Sequence, residues 1–508
     1  MDHEVSRFYK DVVIKVMCLV LVFALYKFSR GYFSLVLVGY GLLSAVCRRN
    51  AQAVSCFVLF PLMVIVNSAI LPKTGMSGMV LRLGPLLIGL ALCVTAVGRK
   101  GSLRLPFGAL FLYLFCSCLS SATGWSPMIS YFKMINFILF LVGIWIGTQN
   151  LNQNPRDVYE IRCIFFSIVC IVILGSLAAL PFPNIAYSTN FMWSAGLSSA
   201  EMELRIADMK AADAVTLFSG IANHSQALAP LLAVCITFVL ADMIFIARKY
   251  SLPHIVIMGI AVVELYMTRS RTGLLSVSVG VFMVLFYASK HVNMSNRARR
   301  VVKRIVSFGI VLIVIGGTVG ELKSNMISRW MFKTNDLTAE KGRGVIDRVS
   351  STRQILIEDS LNDFRRNPLF GMGFQVNSET ERLYGGRRGL VLSAPVEKGL
   401  LATMILGEAG IVGVIAFLIF LFSYYTTCAR KKFTMSIVMF TVMLATNIGE
   451  ATFFSPGGVG GIIWVLCIVG GFVLDMNLIR KREFESFDEM RRPIEGYPVF
   501  NNDDPAYY

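Results

Sequence analysis

Apolar runs long enough to cross a bilayer follow one another along almost the whole chain, and this feature constrains the fold more than any other. A hydrocarbon core takes roughly 20 residues of helix to span, and each crossing must satisfy its own backbone polar groups. With 55% apolar and only 16% charged residues over 508 positions, the composition is not that of a soluble domain. The chain reads as all-α: a polytopic helical bundle forming a single membrane domain over residues 1–508.

About fourteen spans can be drawn, at 11–27, 32–47, 52–71, 80–98, 105–121, 132–148, 161–180, 221–247, 254–268, 272–288, 305–320, 399–427, 433–450 and 457–476. The first begins near Val12 and runs into the second without an A-x-A-like cleavage site, which reads as a signal anchor. Most of the eleven cysteines, among them Cys18, Cys93, Cys116, Cys118, Cys170 and Cys467, fall inside apolar runs. They read as small apolar filler, with neither a disulfide framework nor metal-ligand spacing.

Charge supplies the orientation. A net charge of +17 would suggest nucleic acid on a soluble chain, but in a membrane protein the short basic loops mark the cytoplasmic side. "KHVNMSNRARRVVKR" (Lys290 to Arg304) and "ARKK" (Ala429 to Lys432) are the strongest of these. Counting from them puts "RRN" at Arg48, "GRKGSLR" at Gly98, "ARKY" at Ala247 and "RKR" at Arg480 inside as well. Both termini, including the tail 477–508, are then cytoplasmic, while loops 181–220 and 321–398 lie outside. No nucleic acid meets that outer face, so function is sought in chemistry at the membrane surface.

Arg269 and Arg271, in "LYMTRSRTGLLSVS", also fall outside, against the charge trend. Arginine costs about 2.5–3.5 kcal/mol at a bilayer centre on insertion scales, so the pair either snorkels to lipid phosphate or forms an anion site. Two guanidinium groups in a short hairpin, with Thr268, Ser270 and Thr272 as extra donors, suit a diphosphate. Glu264, one turn deeper, can share a face with Thr268 and Arg271 and pair with one of them.

In the large loop, residues 345–364 have helical periodicity, with Ile346, Val349, Leu356, Ile357, Leu361 and Phe364 on one stripe. Asp347, Arg348, Glu358 and Asp363 lie mostly off it. Arg353 falls inside the stripe, so it either reaches a buried anion or water-filled cavity or packs its stem with its head at the edge. Asn367-Pro368 ends this helix, and Gly371 and Gly373 allow a tight turn. Glu397 and Lys398 stand at the outer mouth of the next span, with Glu408 roughly 15 Å deeper at helical rise.

Over about 218–419 the ordered landmarks "SGIANHSQALAPLLA", "TRSRTGLL", a basic inner loop, an outer-loop arginine, "RRNPLFGMGF" and "GEAGIVGVIAFL" resemble the O-antigen ligase and O-antigen polymerase superfamily. These are integral-membrane glycosyltransferases of the GT-C type. The resemblance implies glycans linked to undecaprenyl diphosphate as donor and acceptor, on the periplasmic face of the bacterial inner membrane, and no cofactor. It casts Arg269 and Arg271 as diphosphate-binding and Arg353 as the essential outer-loop arginine. Two family features are missing: a His-Asn pair before "GEAGIVG", where "APVEKG" stands, and an arginine before "SG", where Thr216 and Leu217 stand. Arg205 on the same outer loop is a substitute for the latter.

The implied reaction is attack by an acceptor hydroxyl on the anomeric carbon of the donor, with the leaving diphosphate stabilised by guanidinium groups and no metal required. Glu397 is the candidate base, or else a carboxylate paired with Lys398 or Arg388 at a helix start. His224 beside Asn223 could serve instead, or make a structural contact at a helix entrance. Glu450 has no assigned role, and Glu379 and Glu381 leave a metal open. The leading expectation is a polymerase joining repeat units of O-antigen, capsule or exopolysaccharide, with membrane lipid and a chain-length regulator as further partners. The alternatives are a ligase to lipid A-core, a non-catalytic scaffold, and a lipid-linked oligosaccharide flippase. A flippase should carry paired repeats or helices interrupted at the midplane.

Overall fold

In a computed structural model, residues 2–73, 75–96, 107–151, 154–189, 216–247, 251–291, 345–376 and 400–479 are described. Helix ends follow local chemistry. Pro155 opens one helix behind Asn154, whose side chain accepts the Arg156 N–H at 3.0 Å. Another begins behind His224, whose Nδ1 accepts the Ala227 N–H at 3.1 Å.

The helices are α1 Asp2–Phe28, α2 Phe33–Val46, α3 Asn50–Ile65, α4 Gly75–Ala96, α5 Gly108–Thr123, α6 Pro127–Leu151 and α7 Pro155–Ala179. A short turn of helix α8, Pro183–Ala186, precedes strand β1, Tyr187–Thr189, which pairs antiparallel with β2, Thr216–Phe218. Then come α9 Ser225–Ala241 with a π-helical extension Asp242–Ala247, α10 Leu252–Met267, α11 Arg271–His291, α12 Val345–Arg366, α13 Leu401–Arg430 and α14 Thr434–Thr446. Last is α15, Gly458–Trp464, continuing through a π turn at Val465–Val469. Every expected span has its helix except that at 305–320, which lies outside the described residues. Among the described residues, seven helices are long and apolar enough to cross a membrane, and five shorter apolar helices pack with them. The protein is an all-α polytopic bundle.

Burial sorts the helices. Every residue of α9 except Gln226 is buried, as is the run from Gly460 to Val469. A helix apolar all round belongs at the centre of a bundle, and α9 packs against α7, α10, α11, α14 and α15. Helices α4 and α6 approach closely where Gly89 faces Gly143, the small-residue contact of membrane helices. The eleven cysteines, all among the described residues, are free thiols, and seven are buried.

One end of the bundle is closed by an ionic group that the sequence does not announce. Arg162 on α7 donates from Nε to Asp242 Oδ1 at 2.7 Å and from a terminal nitrogen to Oδ2 at 2.8 Å. His254 on α10 meets the same carboxylate through Nε2 at 3.1 Å, and its Nδ1 faces the Ser251 and Tyr9 hydroxyls. Phe8 lies under the guanidinium at 4.3 Å. Asp242 and His254 are buried, so α1, α7, α9 and α10 are joined by a charge pair with little access to solvent. At this end Asp475 also accepts the Met435 and Ser436 N–H groups, each at 2.8 Å, as an acidic cap on α14.

Removing one member of a buried ion pair strands the other charge, at about 3–5 kcal/mol. Asp242→Ala should therefore lower the unfolding free energy by about that amount, measured by denaturant titration in mixed micelles against the parent chain.

Candidate functional site

The opposite end of the bundle gathers the motifs. Helix α12 stops at Arg366, before Asn367-Pro368, and the chain turns through Gly371 (φ +72) and Gly373 (φ +110), as glycine allows. The buried face of α12 differs from the expected stripe. Leu356, Ile357, Leu361 and Phe364 are only half-buried, whereas Ser360 and Asp363 are buried. Small residues decide this: a Cβ on Gly407 of α13 would lie 2.7 Å from the Ser360 carbonyl, so the two backbones pack directly. Asp363 is then carried to the α5–α6 hairpin, where it accepts the Trp125 Nε1–H at 2.9 Å, and Arg366 stands 5.1 Å over the same ring.

Helix α13 is broken. Gly410 has φ +59 and ψ −162, and the segment after α12 fills the gap. Ile411 N donates to Pro368 O at 2.9 Å and Val412 N to Leu369 O at 3.2 Å. Met372 N donates to Gly407 O at 2.9 Å, and Gly373 N to Glu408 O at 3.1 Å. The Ser120 hydroxyl reaches the same Glu408 carbonyl at 2.8 Å. Loop 368–373 thus supplies the backbone partners that a continuous helix would have provided for itself. Glu408 is buried at the break, roughly 10 Å into α13 at helical rise.

Arg269 and Arg271 flank Ser270 in the turn between α10 and α11, and both are half-buried. Arg269 holds φ +51, a left-handed backbone uncommon outside glycine. Ser270 Oγ accepts the Gly273 N–H at 3.2 Å, starting α11, and Gly273 allows close approach to Leu265 and Ala229. Thr272 lies against Gly449, which brings half-buried Glu450 beside the arginine turn. Two residues earlier in that segment, Asn447 O accepts the Leu401 N–H at the start of α13, at 3.2 Å. The segment after α14 therefore connects the arginine turn to the broken helix.

Glu264 is buried, and neither carboxylate oxygen makes a hydrogen bond to a described residue. The expected pairing with Thr268 or Arg271 is not formed: the Thr268 hydroxyl bonds the Leu265 carbonyl at 2.7 Å instead. A threonine at a helix end satisfies the nearest backbone acceptor first. His224, the alternative base, spends Nδ1 on the α9 cap. Its neighbour Asn223 accepts from Lys73 Nζ at 3.4 Å, and Lys73 also holds the Val64 and Val66 carbonyls. Burial pulls the Lys73 amine down to about 8. Arg353 belongs to α12, about 15 Å along the axis from Asp363 at helical rise. Arg205, Glu397 and Lys398 lie outside the described residues.

Sequence reasoning missed the α5–α6 hairpin. Trp125 N donates to Met372 O at 2.8 Å, and Ser121, Ser130 and Lys133 line the following residues. Their signal, "SSATGWSPMISYFK", is a polar cluster joining two otherwise apolar runs.

A side chain at Gly410 must adopt a strained φ, at about 1–3 kcal/mol, and would overlap the Leu369 carbonyl. Gly410→Ala should therefore expel the loop and expose Phe374, which is buried in the native chain. Chymotryptic cleavage after Phe374 should become detectable in the variant and stay absent in the parent.

Two comparisons bear on these motifs. No curated protein matches the chain. Residues 254–418 match the family described as O-antigen ligase. The match runs from His254 on α10 through the arginine turn, α12 and the 367–376 loop to Leu418, beyond the break in α13. Through this segment, about a third of its length, the chain is similar to the O-antigen ligase family.

Proposed function

We propose that this protein is a glycosyltransferase that polymerises undecaprenyl-diphosphate-linked repeat units of O-antigen, capsule or exopolysaccharide on the periplasmic face of the inner membrane. The observation that carries this reading is the half-buried arginine turn at Arg269 and Arg271, joined through Thr272, Gly449 and Asn447 to the head of α13. Guanidinium groups near a low-dielectric surface stabilise a departing diphosphate without solvent reorganisation. The lipid keeps its prenyl chain in the bilayer while the phosphates meet the two arginines, with Arg353 as a third cation.

In this mechanism the acceptor hydroxyl attacks the anomeric carbon, the bond to the diphosphate oxygen breaks, and the hydroxyl proton passes to a carboxylate. Glu397 is assigned as that base, with Lys398 beside it. Arg205 supports the diphosphate, Glu264 stands in support behind the arginine turn, and His224 helps fix the outer loops through its cap.

Transfer to lipid A-core is the second reading, favoured by the family description, which is that of a ligase. It shares the donor and differs in the acceptor. A flippase would use an interrupted helix to present free backbone groups to its cargo. The interruption at Gly410 instead has its backbone groups taken up by the chain's own loop.

Deleting the gene and resolving surface polysaccharide on a gel separates these outcomes. A lost polymerase leaves single repeat units on lipid A-core, a lost ligase accumulates lipid-linked polymer, and a lost flippase leaves unflipped repeats on the inner face. Complementation with Arg269→Ala, Arg271→Ala or Arg353→Ala should give no chain growth at parental protein levels. Parental ladders from all three would reject the assignment.

A further inference from the structure

Beyond the family-matched segment, the α5–α6 hairpin holds the backbone that leaves the broken helix, one residue at a time. Trp125 N–H takes the Met372 carbonyl at 2.8 Å. Ser121 Oγ accepts the Phe374 N–H at 3.2 Å, Ser130 Oγ donates to the Phe374 carbonyl at 2.9 Å, and the two hydroxyls bond each other at 2.6 Å. Lys133 Nζ then donates to the Gln375 carbonyl at 3.0 Å. Ser130 and Lys133 are three residues apart, so both lie on the face of α6 turned to the loop.

Lys133 is the unusual member. It is 3% exposed, on a helix long and apolar enough to cross the membrane, where an ionisable side chain is expensive and usually functional. Its carbonyl partner belongs to a strained residue. Gln375 is 2% exposed with φ +55, and its amide nitrogen lies 3.5 Å from the Met404 sulfur of α13. Such a backbone persists only where its surroundings over-determine it, and the bond from Lys133 is one of those restraints.

We propose that Lys133 is a positioning residue for the transfer reaction. Its side-chain nitrogen, with the Ser121–Ser130 hydroxyl pair, locks residues 372–375 in register with the break in α13. The α5–α6 hairpin thereby helps to hold the loop that fills the broken helix. The consequence for catalysis rests on the glycosyltransferase reading above; the restraint on the loop does not.

The test uses the full chain in nanodiscs and follows hydrogen exchange at the amides of Met372, Gly373 and Phe374. Lys133→Met should raise their exchange about tenfold or more by easing local opening, with smaller acceleration in Ser130→Ala. Lys133→Arg should restore protection to within about threefold, since it keeps the cation. In a transfer assay, Lys133→Met should lower kcat about tenfold or more with a KM change under about threefold, the pattern of a lost transition-state arrangement. Lys133→Arg should recover most of the rate.

Parental exchange in both Lys133→Met and Ser130→Ala overturns the proposal. So does a parental kcat in Lys133→Met while Arg271→Ala is inactive, or failure of Lys133→Arg to rescue. If Arg269→Ala and Arg271→Ala are also fully active, the functional reading has failed instead, and exchange alone then decides the role of Lys133. Should Lys133→Met not accumulate, Ser130→Ala carries the same two measurements.

Discussion

Backbone polar groups left without partners in a hydrocarbon layer cost several kcal/mol each, and the break at Gly410 makes the molecule answer that constraint. The carbonyls of Gly407 and Glu408 and the N–H groups of Ile411 and Val412 all find partners in one loop. Because those partners are backbone atoms at fixed spacing, the loop has a single register. That register seats Gly371 against the backbone of Glu408 and the Met372 carbonyl against Gly124. The packing of α12 on α13 and of both on the α5–α6 hairpin follows from it.

The spans were legible because length and hydropathy report the solvent directly, and a helix is what an isolated crossing segment must form. Helix α12 was legible from its period, and its end from Asn367-Pro368. The buried face of α12 was not. Apolar periodicity marks where hydrophobic area lies, whereas the contact with α13 is set by two small residues, Ser360 and Gly407, that bring backbones together. The break in α13 was hidden for a related reason. "GEAGIVGVIAFLIF" reads as one apolar helix, and its interruption depends on a partner some forty residues earlier in the chain.

The elements of the candidate site were legible in part. Arg269 and Arg271 stand out because two cations between apolar runs are costly wherever they point. Lys133 and the serines of α5 and α6 did not stand out, since single polar residues inside long spans resemble tolerated exceptions until the loop that needs them is in view. The Glu264 pairing failed as an expectation because a shared helix face does not prevent Thr268 from taking the nearer backbone carbonyl.

Arg162 and Asp242 are separated by 80 positions along the chain. During synthesis the seventh helix leaves the ribosome with a guanidinium that has no counter-ion until α9 has emerged. Helix α7 is therefore made before the carboxylate that its guanidinium holds in the folded chain. The order of translation thus leaves this tie between the first half of the bundle and the second to form only after Asp242 has been made.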